Sequence, residues 1–206
     1  MIGRRCIKRA SLRLVLSLLL ALPPWLAAPA FAQADPCQGK ALCENPGPFV
    51  AEIVQASASS QGNNHHVRVV LRVRNTGSAP LVLGYVQRTG TMSDDLGNQY
   101  TVDWRYRQDV SGIGQVTRNQ ADAQFLLAPG ASRNFTLVYR RYLGRSPQIA
   151  RSYSPAMTIA QLESLSATQV RTVSEYSLNY FGMGLGGAAQ AEALGRSLRE
   201  LFGRDR

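Results

Sequence analysis

Lysine is almost missing from this 206-residue chain, which holds Lys8 and Lys40 and no other. A phosphate-cradling Gly-x-x-x-x-Gly-Lys loop needs a lysine at a set place, and neither of these occupies one. Histidine is as scarce, with only His65 and His66. A serine nucleophile would need one of them as its base and a third group to orient it, and no Gly-x-Ser-x-Gly elbow occurs, so no catalytic residue is assigned. Of three cysteines, Cys6 lies within the first 32 residues, which leaves Cys37 and Cys43. Two thiols fall short of the four ligands zinc takes, and no cofactor is implied. No apolar run after the first 32 residues is long enough to span a bilayer, which takes about 20 residues.

What is present begins with a leader. Arg4, Arg5, Lys8, Arg9 and Arg13 precede or open the apolar run Leu14 to Leu22, and Ala30-Phe31-Ala32 comes after it as a small-x-small cleavage site. Residues 1–32 read as a signal peptide cut after Ala32 or Ala34, by the general secretory route or, given Arg4-Arg5, the twin-arginine route. The expectation is an exported protein without a transmembrane anchor after cleavage, periplasmic or else at the outer surface or extracellular. The leader holds five positives and no acid, so removing it takes the net charge from +10 to +5. Nucleic acid is scarce outside the cytoplasm, which points the residual charge toward an anionic envelope polymer. In an oxidising compartment the remaining cysteines pair, and a Cys37–Cys43 disulfide staples an irregular, proline-rich arm over 35–48.

Beyond the arm, the chain is governed by alternation with period two. Val67, Val69, Leu71 and Val73 fall on one side of an extended chain, with Arg68, Arg72 and Arg74 on the other. Strands are predicted for Phe49 to Ala56, for this stretch, for Leu81 to Gln87, and for Gln99 to Arg107 with Tyr100, Val102, Trp104 and Tyr106 on one side, where Trp104 with Tyr100 and Tyr106 reads as core and, as the alternative, as an exposed binding platform. Others are predicted around Phe135 to Tyr139, for Met157 to Leu162 and for Gln169 to Leu178, with Ser57 to Asn64 as a hairpin loop and Gln108 to Ala123 as a long connection that reads as a mobile or functional loop. Short strands with frequent turns predict an all-β fold, an antiparallel sandwich over 49–180. A glycine-rich joint over 181–187 then leads to an amphipathic helix over 188–203, whose stripe of Leu194, Leu198, Leu201 and Phe202 is a candidate partner-binding face. Both charge signs occur on its polar side, which favours docking on this domain or on a partner over lying on a membrane.

Three patterns stand in order: Val73-Arg74-Asn75-Thr76-Gly77 leading to Leu81, then Asp94-Asp95-Leu96-Gly97-Asn98-Gln99-Tyr100, then Leu127-Ala128-Pro129-Gly130 leading to Phe135-Thr136-Leu137. Over residues 49–163 the chain resembles bacterial exported immunoglobulin-like domains of the telokin-like type. That resemblance implies an immunoglobulin-like β-sandwich serving binding or assembly, with no catalytic residues to carry over.

Candidate sites are few. Tyr139, Arg140, Arg141, Tyr142 and Arg145 place guanidinium forks beside aromatic rings, a combination suited to an anion or a glycan. Asp94, Asp95 and Asn98 offer at most two carboxylates where calcium takes about 6 to 8 oxygens, so a plain turn is the default and no metal site is assigned. His65 and His66 read as a solvated strand end whose side chains point to opposite faces. The reading is a non-catalytic exported interaction module that engages an envelope protein or an anionic envelope polymer and no nucleic acid. Its alternative is a binding protein for an anionic glycan or a calcium ion. The oligomeric state is unknown from sequence.

Overall fold

The computed structural model describes residues 35–61, 63–118, 120–121, 125–142, 150–166 and 169–185. The predicted signal peptide 1–32, Arg145, and the helix 188–203 with Leu194, Leu198, Leu201 and Phe202 lie outside these residues. The described elements are nearly all strands. In chain order they begin β1 (Cys43–Glu44), β2 (Phe49–Gln61), β3 (Asn64–Asn75), β4 (Leu81–Val86), β5 (Thr91–Asp94), β6 (Gln99–Thr101) and β7 (Val110–Ser111). They continue with β8 (Gln115–Thr117), β9 (Gln120–Ala121), β10 (Phe125–Leu127), β11 (Ser132–Tyr142), β12 (Ser152–Ser164), β13 (Val170–Asn179) and β14 (Met183–Gly184). One 3-10 turn, Arg107–Asp109, precedes β7.

The strands form one hydrogen-bonded sheet that curls into a β-sandwich. On one side β3 pairs antiparallel with both β2 and β11. On the other, β12 lies between β13 and the strands β4 and β5. The short strands β5 and β6 carry the ladder across, with β6 meeting β11 at Arg140↔Thr101. Alternation decides what faces inward. Val67, Val69, Leu71 and Val73 are fully buried, and they join Leu83, Tyr85, Phe135, Leu137, Ile159 and Leu178 in one apolar core. Burying each such side chain stabilises the fold by about 1.5–3 kcal/mol. The Tyr180 hydroxyl donates to the Ala51 carbonyl at 3.1 Å and closes the core between residues 129 apart in sequence.

Five predictions need correction. The first strand runs on through Gln61, because Ser57 to Gln61 continue the ladder with Asn64 to Arg68. The Gln99 to Arg107 strand stops at Thr101: the Asp103 carboxylate accepts the Arg105 amide at 3.0 Å and builds a turn that throws Trp104 and Tyr106 outward. The described residues of the predicted connection Gln108 to Ala123 include the strands β7, β8 and β9, with Val110, Ile113 and Val116 buried. Its Gly112 sits at φ +84°, where a Cβ would lie 2.9 Å from the Asn134 carbonyl. The sandwich is not wholly antiparallel, since β4 and β8 pair in parallel at Tyr85↔Gln115 and Val86↔Val116. Part of the glycine joint is strand, with Met183 buried opposite Tyr153.

The N-terminal arm carries the Cys37–Cys43 disulfide and joins the sheet through β1, which pairs with β2. No described helix is long and apolar enough to cross a membrane.

Candidate functional site

The antiparallel register places Arg140 opposite His66 and Arg141 opposite His65. Since side chains alternate, the two arginines on neighbouring positions reach opposite faces of the sheet. Tyr139 belongs to the core and is fully buried, so its ring is not available to a ligand.

On the outer face, Arg140 is already occupied. Its Nε and Nη2 donate to the two Asp109 oxygens at 2.5 Å each, its Nη1 donates to His66 Nε2 at 2.9 Å, and its guanidinium lies 4.5 Å from the Tyr106 ring centroid. Asp109 is 0% exposed, so this is a buried carboxylate neutralised by a bidentate fork. Hydrogen bonding to Asp109 raises the Arg140 pKa further. A guanidinium can only donate, so His66 Nε2 accepts and His66 is neutral. Burial, then the Arg140 charge, lowers the His66 pKa and agrees with that assignment.

On the inner face, Arg141 lies 5.8 Å from the Tyr100 ring centroid, within a buried polar chain. Tyr100 donates its hydroxyl proton to Asp94 at 3.0 Å. With that proton spent, His65 Nδ1, 3.2 Å from the same oxygen, must be the donor. Burial pushes the Asp94 carboxyl up, but hydrogen bonds from Asn98, Tyr100 and the Leu96 amide outweigh it and hold the pKa below the usual range. Burial, then Arg141, holds the His65 pKa down. At 1% exposure His65 is no solvated strand end, which corrects the reading from sequence. The carboxylate and phenol that enclose it arrive from β5 and β6. These buried groups link β3, β5, β6 and β11 through His65, Asp94, Tyr100 and Arg141. Besides the Tyr100 hydroxyl, Asp94 accepts hydrogen bonds from Leu96 and Asn98 of its own turn, and Asp95 accepts the Arg151 amide at 3.1 Å. Among the described residues no three His, Cys, Asp or Glu side chains group as a metal site.

The open site lies next door. A cleft of about 500 Å³ is lined by Gln87, Arg88, Trp104, Arg105, Arg107, Gln115, Thr117 and Gln120. A second cavity of about 410 Å³ shares Arg88, Trp104 and Arg105, and a third of about 220 Å³ shares Arg105 and reaches Arg140, Arg141 and Tyr142. Arg105 is paired with Asp103, its Nη2 2.7 Å from Oδ2, whereas Arg88 and Arg107 make no ion pair among the described residues. Trp104 is 48% exposed, and the Arg88 guanidinium lies 4.7 Å from its ring centroid. Arg88 holds φ +71°, a conformation that costs a side-chain-bearing residue free energy and that clusters at binding sites. Gln115 is 9% exposed, and its Oε1 is buried without a hydrogen-bond partner among the described residues.

Of the predicted ligand residues that the structure describes, Tyr142 alone is freely exposed, at 67%, while Arg140 and Arg141 only rim the cavity of about 220 Å³. The sequence reading named none of Arg88, Arg107 and Gln115 as a site residue, although Gln115 lies in the Gln108 to Ala123 stretch it marked as a mobile or functional loop. The Asp103 turn was the available signal that Trp104 leaves the core.

No protein-family model matches the chain, and a search of curated proteins finds no match. Among solved structures it is similar to the ApaA protein from Bordetella pertussis, with 16% identity over 63% of this chain and 91% of that one, at a TM-score of 0.35. It is also similar to the N-terminal domain of PorA, with 12% identity over 67% and 99% of the two chains and a TM-score of 0.34. A third similar structure is PapD-like domain 7 of human CEP192, with 9% identity over 68% and 87% and a TM-score of 0.30.

Proposed function

We propose that this chain is a non-catalytic, exported binding module of the bacterial cell envelope, an immunoglobulin-like domain of the telokin-like type, and that it holds an anionic envelope polymer in the Trp104 cleft. The observation that carries the proposal is the pair Arg88 and Arg107, two cations without carboxylate partners among the described residues, lining one cleft with an exposed tryptophan. A guanidinium fork matches a carboxylate or phosphate, and the aromatic plate adds area for the rest of the ligand. The disulfide in the arm accords with an oxidising compartment.

The test is retention of the purified protein on immobilised lipopolysaccharide and peptidoglycan at rising salt. Binding that weakens with salt, and that Arg88→Gln with Arg107→Gln reduces tenfold or more, supports the proposal. Retention unaffected by the double variant removes the cleft from the account.

A further inference from the structure

We infer that Asp109 and Arg140 are positioning residues of the Trp104 cleft: their bidentate pair fixes the segment 103–109 so that Trp104 and Arg107 line it. This rests on the anionic-polymer reading for what the cleft binds, while the positioning itself needs no ligand.

The cleft's lining comes from two kinds of backbone. Gln115, Thr117 and Gln120 stand on β8 and β9, and Gln87 and Arg88 directly follow β4. Trp104, Arg105 and Arg107 belong to no strand, because β6 ends at Thr101 and β7 begins at Val110. Within the segment the bonds are local: the Tyr106 amide donates to the Asp103 carbonyl at 3.0 Å, and the Asp109 amide to the Tyr106 carbonyl at 2.9 Å. The Asp103 carboxylate is spent on Arg105. Among the described residues, the side-chain hydrogen bonds that leave 103–109 are those between Asp109 and Arg140. Short-range bonds alone leave a turn easy to open, so the wall depends on that tie.

Arg140 is built to hold it. Its own backbone is paired on both sides, with His66 on β3 and Thr101 on β6, so the fork starts from a fixed point. Two parallel bonds to one carboxylate set orientation as well as distance. The same guanidinium lies 4.5 Å from the Tyr106 ring centroid, so its contacts at 106 and 109 bracket Arg107. Asp109 is 0% exposed, and a carboxylate out of reach of water cannot exchange its partner for solvent. The charge answered inside the fold thus holds the unanswered one in place.

Trp25 is the only other tryptophan, so in a Trp25→Phe background the fluorescence belongs to Trp104. The experiment measures acrylamide quenching of that fluorescence, calorimetric binding of polyphosphate, and urea denaturation. It compares the background protein with Asp109→Ala plus Arg140→Ala and with Tyr106→Leu. Removing both partners of the pair leaves neither charge buried alone, which limits the cost to the fold. For the double variant the expected result is a cooperative urea transition, a quenching constant raised about 1.5-fold, and polyphosphate affinity lowered about fivefold. Tyr106→Leu, at an exposed ring, is expected to move both readings the same way by less. Unchanged quenching in a folded double variant overturns the positioning role, whatever the affinity does. If the double variant shows no cooperative transition, Tyr106→Leu decides: raised quenching supports the role and unchanged quenching overturns it. If the background protein binds no polyphosphate, the anionic reading loses its support, and the quenching comparison still decides the positioning.

Discussion

Around Asp109, the Arg140 guanidinium spends its donors on a buried carboxylate and on His66, with the Tyr106 ring over it. Around Trp104, Arg88 and Arg107 share a cleft with an aromatic ring, and no described carboxylate meets them. Residue types are shared between the two regions, and what separates them is whether the positive charge is answered from within the fold. In the first region arginine is mortar between β11, β3 and the Arg107–Asp109 turn. In the second no described carboxylate answers it.

The sharpest way to break this comparison is Asp109→Ala. Removing the carboxylate leaves the part-buried Arg140 charge without its partner, and a loss of about 3 kcal/mol or more is expected in urea denaturation. A loss below about 1 kcal/mol, the range of exposed pairs, would mean the cluster is no more structural than the cleft. Next in size is Arg88→Gln with Arg107→Gln, expected to cut affinity for the anionic polymer tenfold, about 1.4 kcal/mol, while stability stays within about 0.5 kcal/mol. A large fall in stability instead would assign these arginines to the structure.

Acid sharpens the contrast from another side. The folded-state pKa values of His65 and His66 are lowered, so the unfolded chain takes up protons first as pH falls. The stability they contribute is present above about pH 6.5, the unfolded value, and is lost as pH drops through the folded values. Thermal unfolding midpoints should fall between pH 7 and pH 5, and His66→Gln, which keeps an acceptor for Arg140, should flatten part of that slope. An unchanged slope would mean that the contact with Arg140 does not need a neutral imidazole. Least affected is the exposed Arg171–Glu163 pair on the β13–β12 ladder, where Arg171→Ala is expected to cost under about 0.5 kcal/mol.

The all-β body was legible in the sequence wherever one face of a strand is apolar and the other charged, as at Val67 to Val73, because the inward set of a period-two pattern can be read without knowing the neighbours. The turn at Ala128-Pro129-Gly130 was legible for a local reason, since proline and glycine restrict or free their own backbone. Trp104 was misplaced because the same alternation runs on past Thr101 in sequence, whereas in the fold the Asp103 carboxylate captures the Arg105 amide and ends the strand. The clusters were invisible for a different reason. His65 is enclosed by Tyr100, 35 positions away, and Arg140 by Asp109, 31 positions away, so their partners are set by strand pairing alone. Gln115 likewise gains its meaning from a parallel pairing with β4 that no short-range signal announces.

The bond between Tyr180 and Ala51 has a consequence for how this protein is made. A chain born from its N-terminus must keep Phe49 and Ala51 uncovered until its last long strand exists, so any truncated product shows a bare apolar layer with unpaired edges. Such pairings between distant segments are slow to form and prone to aggregate while incomplete. Ribosome-stalled chains that end before Tyr180 should therefore need a chaperone's cover, and the finished one should not.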